Sequence, residues 1–208
     1  MSRSLLAVAL AVVGLGLSVS AEAEGDAARG KTLGYTCLGC HGIEGYKNVY
    51  PTFSVPRLRG QHPDQIVSAL QGYRKGERSH ATMHAHASSL SDQDIEDIAA
   101  YLAGSVVKPA EGAKPVGTAP AQAAAMCQSC HGLHGEGMKG LGPALAGQHA
   151  DYLEHSLNAY RSGSRKNAVM APMAAQLKPE DIKPLAHYYA KQKPALTAVP
   201  LKEKAPAR

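Results

Sequence analysis

The chain has 208 residues, 44% of them apolar but only 5% aromatic, with no tryptophan and a single phenylalanine, Phe53. That length admits one ordinary domain or two small ones, and a small domain with so few large side chains buries too little surface to be comfortably stable alone. The formal net charge of +5 comes without a base-reading motif or an interleaving of basic and aromatic residues, which speaks against nucleic acid as a partner.

Residues 1–23 read as a cleavable secretory signal peptide. Arg3 supplies the positive start, residues 5–17 the apolar stretch, and Ala21-Glu22-Ala23 a small-x-small cleavage site, with a cut after Ala21 as the near alternative. The apolar run is shorter than the roughly 20 residues that cross a bilayer, and no cysteine follows it for lipid attachment. The expected destination is the periplasm.

A short helix over residues 25–35 leads into Cys37-Leu38-Gly39-Cys40-His41. The pattern returns as Cys127-Gln128-Ser129-Cys130-His131, and together the two consume all four cysteines. C-x-x-C-H is the covalent attachment signal of c-type haem. Thiols three positions apart can each add to one of the two haem vinyl groups, and the histidine that follows presents its imidazole to the iron. Two C-x-x-C knuckles holding one zinc are expected roughly 12–20 residues apart, far closer than Cys40 and Cys127. Disulfides or a thioredoxin-like pair would use the thiols, but they leave both following histidines unexplained. The expected cofactors are two covalently bound haem c groups, each with its iron.

The repeat extends beyond these motifs. Pro56-Arg57-Leu58-Arg59-Gly60-Gln61-His62 is matched by Pro143-Ala144-Leu145-Ala146-Gly147-Gln148-His149, and Tyr73-Arg74-Lys75-Gly76 by Tyr160-Arg161-Ser162-Gly163, 87 positions apart. The cysteines lie 90 apart, so the first copy carries three extra residues, in the loop 45–54. Residues 63–73 suit a helix, with Pro63 in the first turn and Ile66, Leu70 and Tyr73 at helical spacing. Ser91 suits the N-cap of another, with Ile95, Ile98 and Leu102 as its buried stripe and Gly104 at its end. Its counterpart carries Ile182, Leu185 and Tyr189, but Pro184 predicts a late start or a kink. No run alternates like a strand. The expected units are a first domain over 24–104, a Pro- and Gly-containing linker over 105–122, a second domain over 123–194, and a mobile Pro/Lys-rich tail over 195–208.

A haem iron with one histidine still needs its second axial ligand named, because that ligand separates carrier from catalyst. Met83 and Met170 occupy the same place in the repeat, seven residues before Leu90 and Leu177. Thioether ligation would raise the reduction potential relative to a second imidazole. Met173, whose counterpart is His86, is the rival in the second copy; His80, His84 and His86 are rivals in the first. His62, His134 and His149 are expected to be structural or exposed. The carbonyls of Pro56 and Pro143 are suited to accept the Nδ1–H of His41 and His131. Arg57 and Arg59 are placed either near haem propionates or in solvent.

These residues resemble the dihaem cytochrome c4 family over nearly the whole mature chain. The likeness rests on both C-x-x-C-H motifs, the paired Gly-Gln-His segments at 60–62 and 147–149, and Leu90-Ser91-Asp92-Gln93-Asp94-Ile95 leading to Ala99-Ala100-Tyr101. It implies an all-α fold of two tandem class I cytochrome c domains related by a pseudo-twofold, each wrapped around a haem, with the haems close at their propionate edges. It also implies ligation of both irons by histidine and methionine, His41 with Met83 and His131 with Met170. The implied role is non-enzymatic: a periplasmic carrier, loosely membrane-associated in many members, passing electrons towards a terminal oxidase of a respiratory chain.

Charge is uneven: residues 24–108 carry nine basic and nine acidic groups, residues 109–194 nine and six. The basic half suits an acidic redox partner, whether a membrane oxidase, a reductase or a dehydrogenase, or else a lipid surface. Two other readings stay open. One is a dihaem subunit bound permanently to a periplasmic dehydrogenase, as in flavocytochrome c sulfide dehydrogenases. The other is a dihaem enzyme such as a peroxidase or thiosulfate dehydrogenase, which needs an open or unusually ligated iron.

Overall fold

The computed structural model describes residues 25–201; the expected signal peptide lies outside them, as does the end of the tail. Helix α1 (Ala27–Leu33) passes through a 3₁₀ turn (Gly34–Cys37) into α2 (Leu38–His41), followed by α3 (Pro63–Arg74), α4 (Ala81–Ala87) and α5 (Asp92–Ala103). The second lobe repeats this with a π-type turn (Ala123–Cys127), α6 (Gln128–His131), α7 (Ala150–Ser162), α8 (Met170–Ala175) and α9 (Pro179–Ala190). Among the described residues extended chain forms only isolated bridges. Among the described residues the fold is all-α and consists of two lobes built on the same repeat.

In the first lobe, α5 is the best-specified helix. The Ser91 hydroxyl accepts the Asp94 N–H at 3.1 Å while the Asp94 carboxylate accepts the Ser91 N–H at 3.0 Å, closing a capping box. Its apolar stripe packs Ile95, Ile98 and Leu102 against Ile66 and Leu70 of α3. Helix α1 crosses α5 at Gly30, where an added Cβ would lie 1.9 Å from the Asp97 carbonyl oxygen. Around that crossing the buried Asp97 accepts from Arg29, from Gln93 at 2.9 Å and from the Asp26 N–H at 2.8 Å.

The second lobe buries Leu153 of α7 against Ile182, Leu185 and Tyr189 of α9. Of the two outcomes expected of Pro184, the late start does not occur: α9 begins at Pro179, 87 positions after α5, with Pro184 inside it. The carbonyl that Pro184 leaves without a helical donor is that of exposed Glu180, where water can serve instead. The counterpart of α1 is short: residues 121–122 are helical and run through the π-type turn into α6.

Both connecting segments are tied down. The linker bonds through Val107 N–H to the Gly60 carbonyl and exchanges two bonds between the Val116 backbone and the fully buried Gln192 amide. Nor does the described part of the tail hang free. Thr197 and Arg59 exchange two backbone hydrogen bonds of 3.0 Å, Leu196 and Val199 are buried, and Val199 joins the first lobe's core.

The lobes meet through reciprocal contacts that follow the 87-residue repeat. Gln61 pairs through both amide atoms with the backbone of Ala144, and Gln148 does the same with Arg57. Asp64 accepts from the Gly140 N–H at 2.7 Å, and its counterpart Asp151 from the Ser54 N–H at 3.0 Å. Such reciprocity is what a pseudo-twofold axis produces.

Two outcomes follow from the first lobe. Gly30→Ala forces α1 off the Asp97 carbonyl and costs about 1–3 kcal/mol, read as a lowered midpoint in chemical denaturation. Asp94 is drawn down to about 2, first by Ser91 and then by Arg29, while Asp97 is held below the ordinary carboxylate range by Arg29 and then Gln93. A carboxylate with a depressed folded pKa stabilises the fold above its unfolded value and loses that contribution as pH falls through the folded one. The melting temperature therefore drops between about pH 4, near the unfolded value, and about pH 2. Asp94→Asn flattens that limb; an unchanged profile would contradict the assignment.

Candidate functional site

Each C-x-x-C-H stretch ends in a short helix that turns its histidine inward. His41, at the end of α2, is 9% exposed, and His131, at the end of α6, is 7% exposed. The Nδ1 of His41 lies 2.9 Å from the Pro56 carbonyl oxygen, and that of His131 lies 2.9 Å from the Pro143 carbonyl oxygen. A carbonyl can only accept, so each Nδ1 carries its hydrogen and each Nε2 presents a lone pair, the form a metal requires. Burial lowers the pKa of both imidazoles, the prolyl carbonyls acting in the opposite sense. Gly142 lets the second loop close on this group: an added Cβ would stand 2.9 Å from the Cys130 carbonyl oxygen and 3.1 Å from Cε1 of His131.

The four thiols, both imidazoles, Met83 of α4, and Met170 and Met173 of α8 all line one cavity of about 760 Å³ that runs across both lobes. The four cysteines are free of disulfides. Among the described residues no group of three or more His, Cys, Asp or Glu side chains could hold a metal ion. Of the rival histidines, His80 has both ring nitrogens engaged: Nδ1 accepts the Met83 N–H at 3.3 Å and Nε2 lies 3.2 Å from the Asn48 amide oxygen. Neither His84 nor His86 lines the cavity. Met173 reaches it, with its sulfur 4.0 Å from the Gln176 amide nitrogen.

Known proteins share this arrangement. The cytochrome c family model matches residues 27–105 and 118–193. Cytochrome c4 of Pseudomonas aeruginosa is 33% identical over 178 residues, 79% of this chain and 87% of that one. The thiosulfate dehydrogenase electron acceptor of Stutzerimonas stutzeri is 32% identical over 169 residues, 74% of this chain and 77% of that one. Reduced recombinant cytochrome c4 from Pseudomonas stutzeri, a crystal structure, matches with a TM-score of 0.63 and 30% identity, covering 81% of this chain and 99% of that chain. The chain belongs to the dihaem cytochrome c4 family.

As a dihaem cytochrome c it carries two covalent haem c groups, one at Cys37 and Cys40, the other at Cys127 and Cys130. The cavity fits them in charge as well as in shape. Its lining includes four cations, Arg57, Arg78, Arg165 and Lys166, against a single acid, Glu77. Haem is a flat apolar body with two carboxylates on one edge. Arg78 and Arg165 are suited to hold those carboxylates: each stacks on a tyrosine of its own lobe, Tyr73 at 4.5 Å and Tyr160 at 4.4 Å. Their protein acceptors are neutral, Tyr152 Oη and Ser156 Oγ, both at 3.0 Å, and Nε of Arg165 is buried without a partner. Burial alone would raise the Tyr152 phenol, but the two guanidiniums beside it outweigh that and bring it down to about 8.

Arg78 and Arg165 were not singled out from the sequence, although they stand 87 positions apart and so carry the same repeat signal as Met83 and Met170. Of the two arginines that were singled out, Arg57 also lines the cavity and Arg59 does not. Arg57 donates to the Gly147 carbonyl at 2.5 Å and pairs with Glu44, and Arg59 donates to the Tyr101 carbonyl.

Proposed function

We propose that this cytochrome is a periplasmic electron carrier that passes electrons towards a terminal oxidase or reductase. His41 and Met83 would hold the iron of the first lobe's haem, and His131 and Met170 that of the second. Bound haem supplies a one-electron couple at each lobe. The chain's own residues hold the ring through two thioethers, fix the imidazole tautomer through a prolyl carbonyl, and exclude water with the apolar faces of α3, α5, α7 and α9. A histidine and a methionine holding each iron would leave it no position for a substrate, and the haem would supply electron transfer without bond chemistry. The observation carrying this reading is that a carbonyl-pinned histidine and a partly buried methionine line the same cavity in both lobes. Met170 is preferred to Met173 because it repeats Met83 and because the Met173 sulfur has Gln176 as a neighbour.

The domains are taken as 24–104 and 123–194, joined by 105–122, with residues 1–23 removed on export. Among the described residues no helix is long and apolar enough to cross a membrane, and loose association with a membrane surface completes the proposal. A second reading has a specific observation behind it: a relative named as a thiosulfate dehydrogenase electron acceptor. In that reading the same two haems accept electrons from a periplasmic dehydrogenase as its cytochrome subunit. Gel filtration of native extract separates the two, since co-elution with a large dehydrogenase partner would sink the free shuttle.

Ligation is tested by substitution in the holoprotein. Met83→Ala opens the first iron, so the reduced protein gains carbon monoxide binding at one haem. Met83→His keeps that iron six-coordinate and lowers its potential. Met170→Ala mirrors the first result in the second lobe, whereas Met173→Ala leaves both spectra intact. If neither Met83 variant alters a haem spectrum, the methionine assignment is wrong.

A further inference from the structure

We propose that Gln148 and Gln61 are positioning residues that tune the haem of the opposite lobe, each acting through one peptide unit on the other lobe's axial histidine. The proposal rests on the reading of His41 and His131 as axial ligands. The peptide that joins Pro56 to Arg57 has two polar ends. Its carbonyl oxygen, on Pro56, accepts the Nδ1–H of His41 at 2.9 Å. Its N–H, on Arg57, donates to Oε1 of Gln148 at 2.9 Å. A continuous hydrogen-bonded chain thus runs from an imidazole of the first lobe, through one peptide, to a side chain of the second.

The repeat builds the same chain in reverse. The peptide joining Pro143 to Ala144 accepts from His131 at 2.9 Å and donates to Oε1 of Gln61 at 2.8 Å. Each glutamine is held so that its oxygen, rather than its nitrogen, faces that N–H. Its Nε2 donates onward to the Arg57 carbonyl at 2.9 Å or the Ala144 carbonyl at 3.0 Å. Its Oε1 also takes the next residue's N–H, from His149 at 3.1 Å or His62 at 3.0 Å. Gln61 is 8% exposed and Gln148 is 5% exposed, so water does not compete for these bonds.

The sign of the effect follows from the chemistry. A peptide that donates its N–H becomes a better acceptor at its oxygen, and such chains strengthen where the local dielectric is low. A better acceptor on Nδ1–H makes the imidazole a stronger donor at Nε2. A more basic axial ligand favours the oxidised iron and lowers its potential. Each glutamine therefore holds down the potential of the haem it does not itself enclose. Loosening of the lobe interface alone has a different signature: it wets both haems and lowers both potentials together.

The test uses the holoprotein with both haems attached, counted by pyridine haemochrome, and each midpoint potential assigned to its lobe by nuclear magnetic resonance of partly oxidised samples. Gln148→Met removes the acceptor at similar volume. It is expected to raise the first lobe's potential, a few-fold change in that haem's reduction equilibrium, and to leave the second lobe's potential in place. Gln61→Met gives the converse. Gln148→Asn keeps an amide that is one methylene too short to reach Arg57, and carries the same expectation should the methionine variant fail to fold. The proposal is overturned if two-haem variants keep both potentials, if the shift falls in the glutamine's own lobe, or if both potentials drop together. A spectrum of the unsubstituted holoprotein lacking histidine ligation would instead remove the underlying reading, and is seen before any variant is made.

Discussion

An imidazole nitrogen committed to a prolyl carbonyl is the constraint on which the rest of this molecule depends. The bond fixes the tautomer and ring orientation, and proline suits the acceptor position because its fixed φ lowers the entropy lost in ordering the loop. Both lobes reach the same 2.9 Å separation even though the first has three more residues between histidine and proline. The extra length closes on itself. The Asn48 N–H bonds to the Phe53 carbonyl and the Val55 N–H to the Tyr46 carbonyl, so the insertion leaves Val49 and Tyr50 exposed and returns the chain to the register that delivers Pro56.

The two lobes solve the backbone side of the same problem differently. The carbonyl of His41 accepts the N–H of Val199, a residue from the far end of the chain, whereas the carbonyl of His131 accepts the N–H of Gly137 in its own loop. The first haem motif is therefore completed by the tail, which follows the second domain in sequence. The linker adds ties of its own, through Gly60 to Val107 and through Val116 to buried Gln192. Although the lobes are copies, the chain is built as one body.

What could be read from the residues alone was whatever depends on short spacing. The C-x-x-C-H motifs, the Ser91 cap and the stripe of Ile95, Ile98 and Leu102 are local patterns, and the helices form where those patterns lie. The prolyl carbonyls could be anticipated because they sit 15 and 12 residues from their histidines, within one loop. Pro184 does not delay the helix because the carbonyl it leaves without a donor belongs to exposed Glu180. Long-range partners left no comparable trace. Nothing near Val199 announces that it will enter the first lobe's core, and Gln61 and Gln148 stood out as a repeated pair without their role across the interface being visible. Methionine ligation rests on the repeat, since the cavity wall admits both Met170 and Met173.

Two oddities of this chain have a common origin. The first is compositional: aromatics make up only 5% of the residues, and the helical clusters draw theirs from tyrosine, Tyr101 in the first lobe and Tyr188 and Tyr189 in the second. The second is electrostatic. Arg57 has Glu44 as its counter-charge, but Arg78 and Arg165 have only a phenol and a hydroxyl from the protein, and one guanidinium nitrogen has nothing. Arg78 and Arg165 are half-buried on the cavity wall, and a cation partly withdrawn from water without an acidic partner is suited to an anionic guest. A haem carries both missing components in one molecule, apolar area on its faces and carboxylates along one edge. A sparse aromatic complement and a surplus of positive charge on the cavity wall both suit that one guest, the charge recurs at the same place in each copy of the repeat, and the glutamine clasps bring the two halves together.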